Sequence, residues 1–343
     1  MHKLTKLQLV FTLLIGLFCS IHASAFSVSN YATQSKLASG KWVKISIPES
    51  GMYEITYDEL REMGFNNPSQ VRVYGHGGYK ISEILSGRNI DDLKPVRVLR
   101  TNDKICFYGN GPIKFSMTGN NSTPRFTREF NPYSQVGCYF LTEEGTSDIP
   151  MPRMTKTTYE NYIDTPTSLS FFYHEKEMAS ISGSGKEMLG EDFSGTPLLI
   201  DYYLPGLADS TIVVNTVIAA NASVITYANA VIRSGEATDT TSYTVSSSRI
   251  YVPSGSTVYY NYASPYAFLK LSDPAEHGQF EPMLIFSSDD FKLTLARLDY
   301  FILTYKRNNV ISEDEDNQLL MGYSGVKGNE RFLLPNASPS TAV

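Results

Sequence analysis

Short segments of alternating apolar and polar residues recur along most of this chain, with turn residues between them. Residues 41–47 show the pattern, because Val43, Ile45 and Ile47 would share one face of a strand. The 23 Tyr and 18 Phe among the 343 residues also favour strands over helices. Many short strands, spaced roughly 8–12 residues apart, are typical of β-sandwiches and barrels. The sequence therefore predicts an all-β protein with two consecutive β-rich domains.

Residues 26–144 are predicted to form the first of these, a small β domain. Its first two strands, 41–47 and 52–55, are expected to pair as a hairpin across the turn between them. Further strands are expected at 71–74, 97–99, 104–108 and 137–142.

One short helix is predicted in this domain, near residues 58–63. Thr56 and Glu59 have the spacing of a capping box, in which each side chain accepts from the other residue's backbone N–H. Gly64 is well placed to end the helix in a left-handed conformation.

Residues 75–78 (Gly-His-Gly-Gly) resemble a phosphate-binding loop only superficially. Such a loop needs the pattern G-x-G-x-x-G and a helix that follows it. Here the run leads into residues 79–84 and a further turn. We interpret it as a tight backbone turn.

The second domain is predicted over residues 159–307, after a linker at 145–158 that is rich in small polar residues and proline. A β-sandwich or jelly-roll-like fold is expected, with residues 242–248 as a polar edge strand. Its other strands are expected at 198–203, 211–218, 223–227, 249–252, 257–262, 267–271 and 298–305. Residues 308–343 form a tail.

Residues 1–25 have the organisation of a bacterial-type secretory signal. Lys3 and Lys6 make its start basic, residues 7–19 are apolar, and Ala23 and Ala25 provide the small residues of a cleavage site after Ala25. The apolar run is shorter than the roughly 20 residues that span a bilayer, so a retained anchor is the weaker alternative. We expect an exported protein with no transmembrane segment after signal removal.

The charge of the chain argues against nucleic acid as a partner. Its formal net charge is −6, and Lys and Arg are not clustered as phosphate neutralisation requires.

Cys106 and Cys138 are the cysteines that remain after signal removal. An oxidising compartment favours a disulfide between such a pair. The alternative is that both are small buried thiols that pack as hydrophobic residues, since both lie in apolar, strand-like segments.

No catalytic, cofactor-binding or metal-binding residues are predicted from the sequence. His76, His174 and His277 are the histidines outside the signal, and neither H-E-x-x-H nor C-x-x-C is present. His174 next to Glu175 is interpreted as a surface or hydrogen-bonded histidine. Residues 313–316 are interpreted as a solvated acidic loop, since they lack the ligand spacing of an EF-hand.

An ordered series of short motifs extends over nearly the whole mature chain. It comprises residues 39–45 (SGKWVKI), 51–57 (GMYEITY), Leu60, 71–78 (VRVYGHGG), 107–112 (FYGNGP), 131–134 (NPYS), 139–142 (YFLT), 185–187 (GKE), 190–193 (GEDF), 298–300 (LDY) and Arg307. In this order and spacing the motifs resemble the N-terminal, non-catalytic region of PorU-like sortases of the type IX secretion system. That family is related to the gingipains, which are cysteine peptidases of Bacteroidota. Met188-Leu189 and Cys138 depart from the pattern, since an aromatic is expected at the first position and an aromatic or polar residue at the second.

The resemblance implies that a complete family member cleaves the C-terminal sorting domain from cargo and links the cargo to anionic lipopolysaccharide. Its catalytic His and Cys lie in a later, gingipain-like domain, and no residue of this chain matches those motifs. We therefore expect a scaffold or interaction region in the periplasm or at the outer-membrane cell surface, inactive alone and without a cofactor. Its partners would be its own downstream catalytic domain, type IX secretion components and cargo proteins.

A truncated family member is the corresponding expectation for the end of the chain. Val343 lies about where the connection to the catalytic domain would begin. The tail after Asn308 should then lack a packing partner.

The alternative function is a free-standing exported module that binds carbohydrate or protein. Aromatic runs at 171–173, 202–203 and 259–260 could form a stacking platform. Neighbouring residues of a strand point to opposite faces, however, so one member of each pair is expected to be buried.

Overall fold

The computed structural model describes residues 31–83, 90–118, 124–144, 149–150, 162–180, 188–193, 196–222, 226–234, 237–245, 261–263, 266–270, 287–288, 293–311, 319 and 329–337. These residues form many strands, mostly in antiparallel sheets, and the all-β prediction is confirmed. Across them, no helix is both long enough and apolar enough to span a membrane.

The first half of the chain contains nine strands and one α-helix among the described residues. The strands are β1 (Val43–Ile47), β2 (Gly51–Thr56), β3 (Arg72–Gly77), β4 (Arg97–Arg100), β5 (Lys104–Gly109), β6 (Ile113–Thr118), β7 (Arg125–Phe130), β8 (Gly137–Thr142) and β9 (Ile149–Pro150). The helices are α1 (Tyr57–Glu62) and two 3-10 turns at Lys36–Ala38 and Pro68–Gln70.

The second half adds strands of very different lengths. They are β10 (Tyr162–Thr165), β11 (Thr167–Glu175), β12 (Ala179–Ser180), β13 (Met188–Leu189), β14 (Leu207–Ala222), β15 (Thr226–Ser234), β16 (Ala237–Val245), β17 (Asn261–Ala263), β18 (Tyr266–Lys270), β19 (Ser287–Ser288), β20 (Leu293–Asn308) and β21 (Asn329–Phe332).

Two sheets, β1-β8-β3 and β2-β5-β4-β9, build what we call the first unit. Both contribute to one buried cluster, which also contains Leu60 of α1: Ile47, Ile55, Leu60, Phe65, Val71, Val73, Val98, Ile105, Phe107, Tyr139 and Leu141. The predicted hairpin of the first two strands is wrong, because β1 pairs with β8 and β2 pairs with β5. The turn between them instead carries the chain from one sheet to the other.

Helix α1 forms where the sequence predicts it. The Thr56 hydroxyl accepts from the Glu59 backbone N–H at 3.2 Å, and the Glu59 carboxylate accepts from the Thr56 backbone N–H at 2.7 Å. The Thr56 backbone N–H and the Thr56 hydroxyl, at 2.7 Å, both donate to the Glu59 carboxylate and lower its pKa. Gly64 has a φ of 86°, as expected for the residue that ends the helix.

The Gly-rich run at 75–78 is not the turn that we predicted, because β3 continues through it to Gly77, with a bulge between Gly75 and Gly77. The Gly78 N–H donates to the Asn110 carbonyl at 2.9 Å. The Asn110 N–H donates in turn to the Tyr139 hydroxyl at 2.8 Å. A Cβ at Gly78 would lie 2.7 Å from backbone atoms of both Gly111 and Gly137. Glycine is therefore required because three chain segments meet here backbone to backbone; we call this the glycine junction.

The second half is organised by β14 and β20, which pair antiparallel over most of their length. Together with β11, β17 and β18 they form what we call the long sheet. Residues 212–219 of β14 and 301–305 of β20 are buried on both faces of the sheet: Ile212 and Val213 are adjacent and buried, as are Leu303 and Thr304. A sheet of this kind needs a cover on each side.

One face of the long sheet is covered by the β6–β7 hairpin from the first half of the chain. Phe115 and Phe126 of the hairpin contact Phe171 of β11, each with ring centroids 4.5 Å apart. The other face is covered by residues 188–193 and 196–204. There Tyr202 packs on Phe172 at 6.1 Å, and the Tyr305 hydroxyl donates to the Pro205 carbonyl at 3.2 Å.

Several predictions for the second half change in detail. Residues 198–203 are not a continuous strand, although Ile200 and Tyr202 are buried. The edge prediction for 242–248 is confirmed as far as Val245, since among the described strands β16 pairs with β15 alone. Residues 149–150, within the predicted linker, pair parallel with β4. The strands predicted at 249–252 and most of 257–262 lie outside the described residues.

The tail after Asn308 has packing partners, contrary to our expectation. Strand β21 pairs parallel with β10, and the Arg331 guanidinium donates to both carboxylate oxygens of Asp164, at 2.6 and 2.8 Å. The Asn309 side chain donates to the Thr165 carbonyl at 2.9 Å.

The glycine junction gives a first prediction. Gly77 has a φ of 79°, and a Cβ there would lie 2.5 Å from the Asn110 Cβ and 2.9 Å from the Asn110 carbonyl oxygen. Gly40 is a matched control with a φ of 84°, because its neighbour is the movable end of the Glu144 side chain. Both alanine variants carry the left-handed backbone cost of about 1–2 kcal/mol. In urea unfolding we expect Gly77→Ala to cost at least about 1 kcal/mol more than Gly40→Ala; equal costs would contradict the crowding argument.

Candidate functional site

A buried group of charged side chains lies where the β6–β7 hairpin meets the long sheet. Arg128 of β7 donates to the Glu175 carboxyl of β11 and, at 3.1 Å, to the Asp299 carboxylate of β20. Its guanidinium lies 4.3 Å from the centroid of the Tyr300 ring. The Glu175 side chain is only 5% exposed. We call these residues, with Glu177, the charged cluster.

Glu175 has an unusual proton affinity in this cluster. Burial raises the pKa of its carboxyl to about 9, because loss of water disfavours the charged form. Arg128 opposes the rise, while the nearby carboxyl groups of Glu177 and Asp299 add to it. Glu175 is therefore neutral at pH 7, and it accepts from Arg128 with one carboxyl oxygen. Asp299 is the charged partner of Arg128.

His174, the residue before Glu175, points to the opposite face of the long sheet. Its Nε2 lies 2.8 Å from the Glu191 carboxylate, and its ring stacks on Phe301 at 5.4 Å. Lys176 adds a second contact to Glu191, at 3.0 Å. Burial favours a higher pKa for Glu191, but its own backbone N–H, His174 and Lys176 outweigh that effect and lower the pKa. The prediction of a hydrogen-bonded histidine at 174 is confirmed.

The other predicted site residues are dispersed. His76 Nε2 contacts the Asp92 backbone carbonyl at 2.9 Å, in the first unit. Among the described residues no group of three or more His, Cys, Asp or Glu side chains is arranged to hold a metal ion. The signal and its cleavage residues Ala23 and Ala25, together with His277 and residues 313–316, lie outside the described residues.

Cys106 and Cys138 are free thiols in the structure. Cys106 lies on β5 opposite Glu54, and Cys138 lies on β8 opposite Ser46, in different sheets. Cys106 is buried, and this burial raises the pKa of its thiol. The disulfide remains a prediction that a thiol titration can decide.

Neighbouring residues of the described aromatic runs point to opposite sides of the backbone, as the strand alternation predicts. Tyr202 is 5% exposed and Tyr203 is 40% exposed. Phe171 packs under the hairpin, whereas Phe172 packs on Tyr202 and Phe301 on the other side. These residues form core contacts on both sides of the sheet. Residues 259–260 lie outside the described residues.

Sequence reasoning did not find the charged cluster. Arg128 is 47 residues from Glu175 and 171 from Asp299, so no local motif connects them. The one available signal was Arg128 in the alternating run 125–130, on the same face of the strand as Phe126. An arginine on an apolar face indicates a buried partner, but it does not name that partner.

The fold is all-β, and the charged cluster lies where the β6–β7 hairpin meets the long sheet. No protein-family profile matches the sequence, and no curated protein matches it either. A solved structure that resembles it is dimeric latent PorU from Porphyromonas gingivalis, with a TM-score of 0.64 and 25% sequence identity, and this similarity supports a PorU-like fold. The match covers 82% of this chain but only 26% of the PorU chain, so this chain spans about a quarter of that protein. A second structure, the infectious bursal disease virus VP2 subviral particle, has a TM-score of 0.13 and carries no structural argument.

Glutamine at position 175 tests the protonation of the charged cluster. Its amide mimics the neutral carboxyl and keeps an oxygen that accepts from Arg128. The folded-state pKa of Glu175 is about 9, against 4.5 for the unfolded chain. The wild-type chain therefore binds a proton on folding between these values, and its stability falls as pH rises through this window, by at most about 1.4 kcal/mol per pH unit. We expect Glu175→Gln to remove that contribution, measured by urea unfolding across the same window.

The control for this experiment is Glu54→Gln, which removes an exposed partner of Lys104. We expect this variant to keep the pH dependence of the wild type. If the wild-type and Glu175→Gln curves stay parallel throughout, Glu175 is ionised in the folded protein and our assignment is wrong.

The thiols give a separate prediction for the chain without residues 1–25. We expect two alkylated cysteines per chain by mass spectrometry after unfolding without reductant. In the native protein Cys138, which is half-buried, should react with iodoacetamide before the buried Cys106. Recovery of a chain with no reactive thiol would establish the disulfide instead.

Proposed function

We propose that this chain is the non-catalytic N-terminal scaffold and interaction region of a PorU-like type IX secretion sortase. The observation that carries the proposal is the similarity to PorU over 82% of the chain. The ordered motifs support it, because residues 75–78, 107–112 and 131–134 meet at the glycine junction. There the Asn131 side chain donates to the Gly78 carbonyl at 2.7 Å.

The full-length sortase would process C-terminal sorting signals of exported cargo, with this region contacting cargo, secretion components or the catalytic domain. The chain would be exported by its N-terminal signal and would lie in the periplasm or at the outer-membrane cell surface. The contacts of His174 with Glu191 and Phe301 support a structural role for that histidine.

Binding to cargo tests this function. The purified chain from residue 26 onward would be immobilised, and a type IX cargo protein would be applied with and without its C-terminal sorting domain. We expect saturable binding that depends on the sorting domain. In a parallel measurement, an isolated gingipain-like catalytic domain of PorU would be applied, and binding to that domain would equally support the proposal. Binding to neither, together with specific binding on a glycan array, would reject the proposal and support the carbohydrate-binding alternative.

The absence of catalysis is tested separately. We expect no cleavage of fluorogenic peptides by the purified chain. Activity that disappears in a Cys106→Ser or Cys138→Ser variant would contradict a scaffold role.

A further inference from the structure

We propose that the β6–β7 hairpin is a strap that joins the first unit and the long sheet into one cooperative body, with Arg128 as the residue that positions it. Such a strap is a property of the fold and does not depend on the proposed function.

The base of the strap is attached to the first unit. The Asn131 backbone N–H donates to the Pro112 carbonyl at 3.0 Å and closes the hairpin immediately beyond its paired strands. The Asn131 side chain donates to Gly78 in the glycine junction at 2.7 Å. The hairpin therefore leaves the first unit from its most crowded point, where its direction is fixed.

The rest of the strap lies on the long sheet. Phe115 packs on Phe171 and, edge to face at 5.0 Å, on Tyr173. Both backbone groups of Phe126 pair with buried side chains of the sheet. Its N–H donates to the Thr304 hydroxyl at 3.1 Å, and its carbonyl accepts from the Asn215 amide at 3.3 Å.

Arg128 supplies the directional part of this contact. Aromatic packing tolerates small shifts, whereas the guanidinium must reach Glu175 and Asp299 together while it lies over Tyr300. A buried charge that loses its partners is strongly unfavourable, so a displaced strap would leave Asp299 and Arg128 partly desolvated and unpaired. The interaction therefore selects one position of the hairpin, and it links the stability of the long sheet to that of the first unit.

Arg128→Met tests the strap, since methionine keeps much of the apolar stem and removes the charge. We expect amide hydrogen exchange in Ile113–Thr118 and Arg125–Phe130 to become roughly 100-fold faster, with the cores of the first unit and of the long sheet still protected. Calorimetry should show one unfolding transition for the wild type and two for the variant. Arg61→Met is the matched control, because it removes an exposed Arg–Asp pair on α1, and it should behave as the wild type.

Thr304→Val provides a second variant in case Arg128→Met does not fold. It removes the acceptor of the Phe126 N–H with little change in shape, and we expect faster exchange confined to the hairpin. Two transitions in the wild type would overturn the proposal. Unchanged hydrogen exchange of the hairpin in the Arg128 variant would also overturn it. If the Arg128 variant does not fold, unchanged exchange in the Thr304 variant would have the same meaning.

Discussion

Burial of β14 and β20 on both faces is the constraint on which the rest of this structure depends. Alternating strands normally present one apolar and one polar face, but adjacent residues such as Ile302 and Leu303 are both fully buried here. The sheet can exist only with two covers, and they come from distant parts of the sequence. The β6–β7 hairpin supplies one cover, and residues 188–193 and 196–204 supply the other. The need for a cover explains why the β6–β7 hairpin, whose sequence lies among the strands of the first unit, packs on the long sheet.

The charged cluster solves a problem that this arrangement creates. A hairpin held only by phenylalanine rings could occupy several positions on an apolar sheet. Arg128 restricts it to one, at the cost of desolvating several ionisable groups. The neutral state of Glu175 reduces that cost, because one guanidinium then faces one fewer buried negative charge. Such a buried ion pair mainly fixes where the hairpin lies on the sheet and adds little to net stability.

The ordered motifs gain a physical explanation from the glycine junction. Residues 75–78, 107–112 and 131–134 are far apart in sequence, yet they contact one another where β3, β5 and β8 end or begin. Close approach of backbones restricts Gly78, Gly111 and Gly137 to glycine at the same place. Motifs that form one junction must occur together and in order. The resemblance in the sequence therefore depends on all of these motifs together and not on any single one. The structural similarity to PorU supports that resemblance at the level of the fold.

Local patterns in the sequence determined the all-β class, the helix with its capping box, several strand bounds such as Gly137–Thr142, and the division of Phe171 and Phe172 between two faces. These features depend on residues a few positions apart, where periodicity and hydrogen-bonding geometry act directly. The tertiary structure alone decided that β1 and β2 separate into different sheets, that the tail returns to pair with β10, and that Arg128 meets Glu175 and Asp299. Strand pairing and charge pairing join residues that are tens to hundreds of positions apart. The partner is chosen by which faces must be covered and which charges must be neutralised once the whole chain is packed.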